Sequence, residues 1–442
     1  MKWGVRVGFK ERINSFLKKE NSDDARSDNR FDRFTRTVSK YFSAEPEKER
    51  VLRYEDFDRA GDTYYATVSA WYKVMQRVFL LCLAVFASVS IAVNFRHITY
   101  DNFFYLIKDF ETAVDTENLG YETLSYDASS NQSFSLYRGG LAVVGRTNVS
   151  AFTATGRRTL NARDTYSSPF ATASDKYLLV CDMGEGNLAV YNSFSKIYSE
   201  KLSYPITSAC FSQSGEFAVL TRSEKYESQI IVYDNDFERS VSFNRGSYAI
   251  DISMSSDGEY LGAVYLDTED GIACTSVVFY DTRNKEKVSE YSYSGEFPLA
   301  CTFFDLGSFA LITDGSLRIF DRALEEKRAS DTYASMSVSG FFDSSDYAAV
   351  AFNDGMVTDE NRIFVFDKKG DLVYNSSVNS EIGQLAVCEG HIFIKNDEGV
   401  LRVSIDKNKT EQLACSEGRM LAYDGSTVLV CSQAKAAYLK FD

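Results

Sequence analysis

GEFAVLTRSEKYESQIIVYDN, residues 215–235, holds two short runs rich in Val, Ile, Leu, Phe and Tyr, separated by a polar stretch. The first follows Gly215, and the second ends on a tyrosine and an aspartate. Runs of this length and composition, bounded by turn residues, read as two strands of a hairpin. The arrangement recurs. Gly140 leads into LAVVG, Asp175 into KYLLVCD, Gly258 into EYLGAVYL, Gly307 into SFALITD, Asp346 into YAAVAFND, Gly390 into HIFIKND and Gly425 into STVLVCS. The eight starts span 425 − 140 = 285 residues, so the repeat averages about 41, within the range of propeller blades.

Each start is followed by a second strand that often closes on an aromatic residue and Asp or Asn: LAVYN, QIIVYDN, SVVFYDT, LRIFDR, RIFVFDK and, at the end, AYLKFD. A third strand such as RSVSF (239–243) and a leading strand such as AIDISMS (249–255) complete a four-stranded blade,. No long helical period occurs between residues 130 and 442. The chain stops just after the second strand of repeat eight, so that blade lacks its outer strand, and YETLSY (121–126) is placed to supply it. Such pairing would remove an exposed seam. The expected fold is therefore all-β, a β-propeller of eight blades, with seven as the alternative if one repeat is irregular.

Ahead of the repeats, VFLLCLAVFASVSIAV (78–93) carries no charge. Extended back to Val74 and on to Phe95, it reaches the roughly 20 residues that a bilayer core requires. A buried core helix would show polar positions at helical spacing, whereas this run has only Cys82, Ser88 and Ser90,. A cleaved signal peptide has a short basic region before its apolar core, and here 77 residues precede it,. Residues 1–77 hold 17 Lys and Arg against 13 Asp and Glu, a balance of +4, which leaves −19 of the total −15 on the remainder. The positive-inside tendency then places the tail in the cytoplasm and the C-terminal region outside. The expected organisation is a cytoplasmic basic tail over 1–73, partly disordered with short amphipathic helices; one transmembrane helix over 74–95; a helical juxtamembrane linker over 96–120; and an extracytoplasmic propeller over 121–442.

In the tail, Trp3, Val5, Val7, Phe9, Ile13, Phe16 and Leu17 interleave with Lys2, Arg6, Lys10, Arg12, Lys18 and Lys19. This is the pattern of a basic amphipathic segment on an anionic leaflet. Phe31, Phe34, Val38 and Tyr41 repeat at helical spacing. Either segment can instead dock a cytosolic partner, and NSDDARSDN and SAEPEKER read as disordered linkers.

From Tyr100 onward, TYDNFFYLIKDF (99–110), SSPFATASDKYLLVCDMGEGNLAVYN (167–192) and ITSACFSQSGEFAVLTRSEKYESQIIVYDND (206–236) resemble an uncharacterised family of bacterial, mostly Gram-positive, single-pass membrane proteins. The resemblance implies an extracytoplasmic WD-repeat-like propeller. The family is a domain of unknown function, so it implies no catalytic residue, and the long polar tail departs from its pattern.

Residues that carry chemistry are sparse. The two histidines are His97, at the expected outer interface, and His391, at a strand start, so a histidine-centred triad has at most one candidate base inside the propeller. No CxxC or HxxxH spacing suggests zinc,. Cys181, Cys210, Cys274, Cys301, Cys388, Cys415 and Cys431 sit mostly within apolar strands and read as buried small hydrophobes,. Cys415 and Cys431 are the nearest in sequence should one bridge form. Three acidic groups, Asp234, Asn235 and Asp236, then Asp267, Glu269 and Asp270, then Asp354, Asp359 and Glu360, lack the calcium-loop spacing and read as solvated turns,. Trp3 and Trp71 lie outside the repeats, which disfavours a tryptophan-rich quinone-dependent dehydrogenase. No catalytic, cofactor-binding or metal-ligating residue is assigned, and no cofactor is expected.

Two functional classes follow. A binding or scaffold module would offer the propeller to an envelope or membrane protein or a glycan, anchored in lipid by its helix and open to a cytosolic partner on the tail. A carboxylate-dependent hydrolase or lyase at the propeller mouth is the alternative. The balance of −19 makes nucleic acid a poor partner.

Overall fold

The computed structural model describes residues 54–93, 100, 123–329, 337–353, 360–407, 409–415 and 417–441. The tail segments expected before residue 54, the linker 96–120 apart from Tyr100, and Asp354 and Asp359 lie outside the described residues. The chain divides into two units, Met1–Phe95 and Arg96–Asp442.

The first unit contains a helix over Tyr54–Val93. Within it, Val68–Ala92, 25 residues with mean hydropathy 2.0, is the one helix among the described residues long and apolar enough to cross a membrane. Trp71, Phe79, Leu81 and Phe86 on its surface are exposed. Ser88 Oγ donates to the Ala84 carbonyl at 2.8 Å, so this hydroxyl brings no unpaired donor into the apolar stretch.

The second unit is an eight-bladed propeller. Among the described residues, thirty-two strands, from β1 (Thr123–Ser125) to β32 (Lys435–Lys440), form eight four-stranded sheets. Seven are simple antiparallel meanders over 133–162, 169–201, 208–245, 248–294, 298–329, 337–379 and 384–413. The eighth takes three strands from 419–440 and its outer strand, β1, from the other end of the domain. Thr123, Leu124 and Ser125 pair antiparallel with Ala437, Ala436 and Lys435. The seam expected from YETLSY is thus closed, and the blade number is eight.

The repeat was legible because of where the second strand of each blade lies. Gly140–Val144, Leu178–Asp182, Phe217–Thr221, Phe309–Thr313 and Thr427–Cys431 are each buried at all five positions. A blade is covered on both faces, so such a strand is apolar throughout rather than alternating. Alternation survives in the direction of packing: Leu178 and Val180 face the core shared with the first blade, and Leu179 and Cys181 the core shared with the third. Eight such cores lie between successive blades, the last joining Leu124 and Leu429 to Phe134, Leu141 and Phe152.

The aromatic–Asp signature has an equally local cause. Asp281 and Asp367 end third strands and Asp234 and Asp321 directly follow them, and one carboxylate oxygen of each accepts two backbone N–H groups of the turn that follows. Asn192 does the same through its amide oxygen. This Asx arrangement holds the hairpin closed. The preceding Tyr191, Tyr233, Tyr280, Phe320 and Phe366 are buried against the blade before.

Tight blade contact also explains Gly262. A Cβ there would lie 2.3 Å from Cε2 of Phe309 in the next blade. Gly262→Ala is expected to destabilise the propeller by about 1–3 kcal/mol through overpacking. Combining it with Phe309→Leu should recover part of that loss in thermal melts; strictly additive losses would place the strain elsewhere.

Candidate functional site: the central channel

The first strand of each blade lies innermost. An inner strand has one neighbour in its sheet, so its other edge presents unpaired backbone groups. Side chains of adjacent blades meet many of them. Ala171 N–H donates to Ser133 Oγ (3.0 Å), Phe303 N–H to Ser253 Oγ (2.8 Å) and Met420 N–H to Gln384 Oε1 (2.6 Å). Asp251 ties three blades together: Ser208 Oγ donates to its Oδ1 at 2.9 Å and Cys301 N–H to its Oδ2 at 3.1 Å.

These strands surround a cavity of about 1150 Å³ lined by the first six blades. At the end where inner strands turn into second strands, the turns are bonded to one another. Gln213 Nε2 donates to Asp305 Oδ1 (2.7 Å), Ser214 N–H to the Ser256 carbonyl (3.0 Å) and Asp305 N–H to the Ser345 carbonyl (2.8 Å). At the opposite end, the third to fifth blades expose Tyr226, Tyr248, Ile272 and Phe297, at 45, 61, 54 and 50% of their surface.

Two of the carboxylates lining the channel stand on its inner strands. Asp251 is pushed above the usual carboxylate range by burial, against the opposing pull of its hydrogen bonds. Asp343 ends the inner strand Ser337–Asp343 of the sixth blade and is open to the lumen, although protein surrounds it. That surrounding protein, with repulsion from Asp251, pushes its carboxyl up to about 7, and the one hydrogen bond opposing this shift comes from its own backbone N–H. Burial, with Asp251 nearby, also raises the thiols of Cys210 and Cys301, so both are neutral rather than reactive thiolates. At the turn end, burial and Asp346 raise Asp305.

Other carboxylates are engaged structurally. Glu200 accepts from Tyr198 and Tyr233 and pairs with Arg239. Glu296 accepts from Thr313 and Ser316 and pairs with Arg318 at 2.5 Å. Asp251 has both oxygens occupied by hydrogen bonds, from Ser208 Oγ and Cys301 N–H.

The residues singled out in sequence fall apart in space. His391 Nδ1 lies 3.0 Å from the Glu389 carbonyl, a turn contact. Cys181, Cys274, Cys301 and Cys431 are buried, and all eight cysteines, Cys415 included, are free. Asp234 closes its turn as above, and Asp267 accepts from Ser247 Oγ (2.7 Å). Among the described residues no group of three or more His, Cys, Asp or Glu is placed to hold a metal. Sequence reading missed Asp251 and Asp343; the available signal was an acidic residue inside a strand-forming run, in YAIDISM and SVSGFFD.

An acid whose pKa is higher in the folded than in the unfolded chain destabilises the fold progressively as pH rises from the unfolded to the folded value. For Asp343 that window runs from 3.8 to about 7. Asp343→Asn is therefore expected to raise Tm at pH 8 and to leave it unchanged near pH 4. A Tm difference independent of pH would contradict this.

No curated protein matches the chain in sequence. Among solved structures, the C-terminal WD40 domain of Sif2 is similar at 14% identity, over 73% of this chain and 98% of that one, with a TM-score of 0.49. A eukaryotic initiation factor is similar at 13% identity over 70 and 82%, TM-score 0.47, and the Neurospora crassa Pan2 WD40 domain at 10% over 61 and 90%, TM-score 0.40. At these scores they add nothing to the blade count, which rests on the sheet order itself. The family of unknown function DUF5711 matches residues 116–419, more than half of the 442, and the chain belongs to that family.

Proposed function

We propose that this chain is a membrane-anchored binding or scaffold protein whose propeller engages an envelope protein or glycan outside the cell. The observation that carries the reading is the set of exposed aromatic and aliphatic side chains, Tyr226, Tyr248, Ile272 and Phe297, on three consecutive blades at one end of a closed ring. Exposed apolar groups gathered on a rigid scaffold are what a partner buries, and aromatic residues dominate the energy of such contacts. The helix over Val68–Ala92 serves as the lipid anchor. The tail with its balance of +4 stays in the cytoplasm, free to contact a cytosolic partner, and the propeller lies outside,.

Photo-crosslinking residues substituted in living cells at Phe297 and, as a control at the opposite end, at Leu306, test the surface. Discrete adducts from position 297 and none from 306 are expected; the reverse pattern, or no adduct from 297, overturns the assignment. For the anchor, protease added to intact cells or spheroplasts should remove a C-terminal tag and spare an N-terminal one. Loss of the N-terminal tag alone would invert the topology.

A further inference from the structure

The channel wall is of two kinds. Leu136, Phe170, Ile250, Leu299 and Phe341 supply hydrocarbon, whereas Asp175, Asp251, Asp305 and Asp343 supply acid, and among the described residues Arg138 is the one basic residue in the lining. Arg138 sits in the turn of the first blade, where its Nη2 donates to the Lys176 carbonyl at 3.3 Å. Asp305 is taken by Gln213, and Asp251 by Ser208 and Cys301. Asp343 faces the lumen and has no ion-pair partner among the described residues. Phe341, two residues before it on the same face of the strand, is 42% exposed and also lines the channel, while Phe342 between them packs into the cores beside the seventh blade.

A ligand entering this space must answer an unpaired carboxylate, because removing its water without a partner is unfavourable. Anions are repelled. A hard metal ion requires six or more converging oxygens, and among the described residues no such grouping of acidic side chains exists. An apolar wall beside a single carboxylate instead suits a charge carried on a hydrocarbon chain. We propose that the central channel binds an organic cation, an ammonium or guanidinium group on an alkyl chain, with Asp343 as its counter-ion and Phe341 and the aliphatic wall packed along the chain. Two sources carry this chemistry: a free small molecule, or the Lys or Arg side chain of a partner. Titration reads channel binding and the crosslinks at position 297 read the apolar end, so either can fail without the other.

Isothermal titration of the detergent-solubilised full chain at about 150 mM salt provides the test, with spermidine and a blocked lysine peptide, acetyl-Gly-Lys-Gly-amide, as probes. Saturable binding of at least one probe is expected, weakened about tenfold or more in Asp343→Asn and less than threefold in Asp175→Asn at the mouth. Tighter binding of spermidine points to the free cation, and tighter binding of the peptide to a partner's side chain. Because Asp343→Asn can alter stability, Phe341→Ser is the second variant, expected to weaken binding with the charge intact. Absence of saturable binding by both probes, or equal affinity in wild type and a folded Asp343→Asn, overturns the proposal.

Discussion

Three residue pairs close the ring. β1 is only three residues long, yet it supplies the outer edge of a blade whose other strands lie some three hundred residues later. Around it, Tyr126 N–H donates to the Ala434 carbonyl at 3.0 Å and Tyr126 Oη to the Ser432 carbonyl at 2.6 Å. Leu124 and Tyr126 enter the core that joins the last blade to Phe134 and Phe152 of the first. Without this clasp the array would end in an open blade with a bare strand edge and an uncovered apolar face, both favourable sites for wrong association. With it, every blade has two neighbours, and the inner strands are held at the spacing that defines the channel.

Closure also sorts the polar groups. Two buried carboxylates answer a structural demand: Asp251 satisfies an edge N–H of the next blade, and Glu296 gathers Thr313, Ser316 and Arg318. Such networks are stable when each member is satisfied. Asp343 differs because it is open to the lumen rather than tied across a blade junction, and the described residues of the ring supply it no cation. An ionisable side chain left in that state is a reasonable place to look for function.

Much of the fold was legible because the strongest sequence signals coincide with the most buried elements. FAVLT, FALIT and TVLVC are five-residue apolar runs because both blade faces are covered. The Asp after strand ends such as IIVY and IFVF is visible because one oxygen must accept two turn N–H groups, as at Asp234 and Asp367. The channel was much less legible. Its strands face other blades on one side and water on the other, and register shifts between Ala249 and Asp251 and between Val338 and Gly340 break the alternation,. Nothing in YAIDISM tells a reader that the aspartate bridges the two neighbouring blades rather than closing a solvated turn. Likewise, the exposed Tyr248 and Phe297 look in sequence like any strand-forming aromatic.

Hydrogen–deuterium exchange of the peptides spanning 121–127 and 433–441 tests ring closure most directly. Both should exchange as slowly as the buried Leu178–Asp182 strand and become labile only with the whole propeller, because β1 is part of one cooperative ring. Exchange of 121–127 within seconds, while Leu178–Asp182 stays protected, would show that β1 does not hold the last blade and would contradict the closed ring.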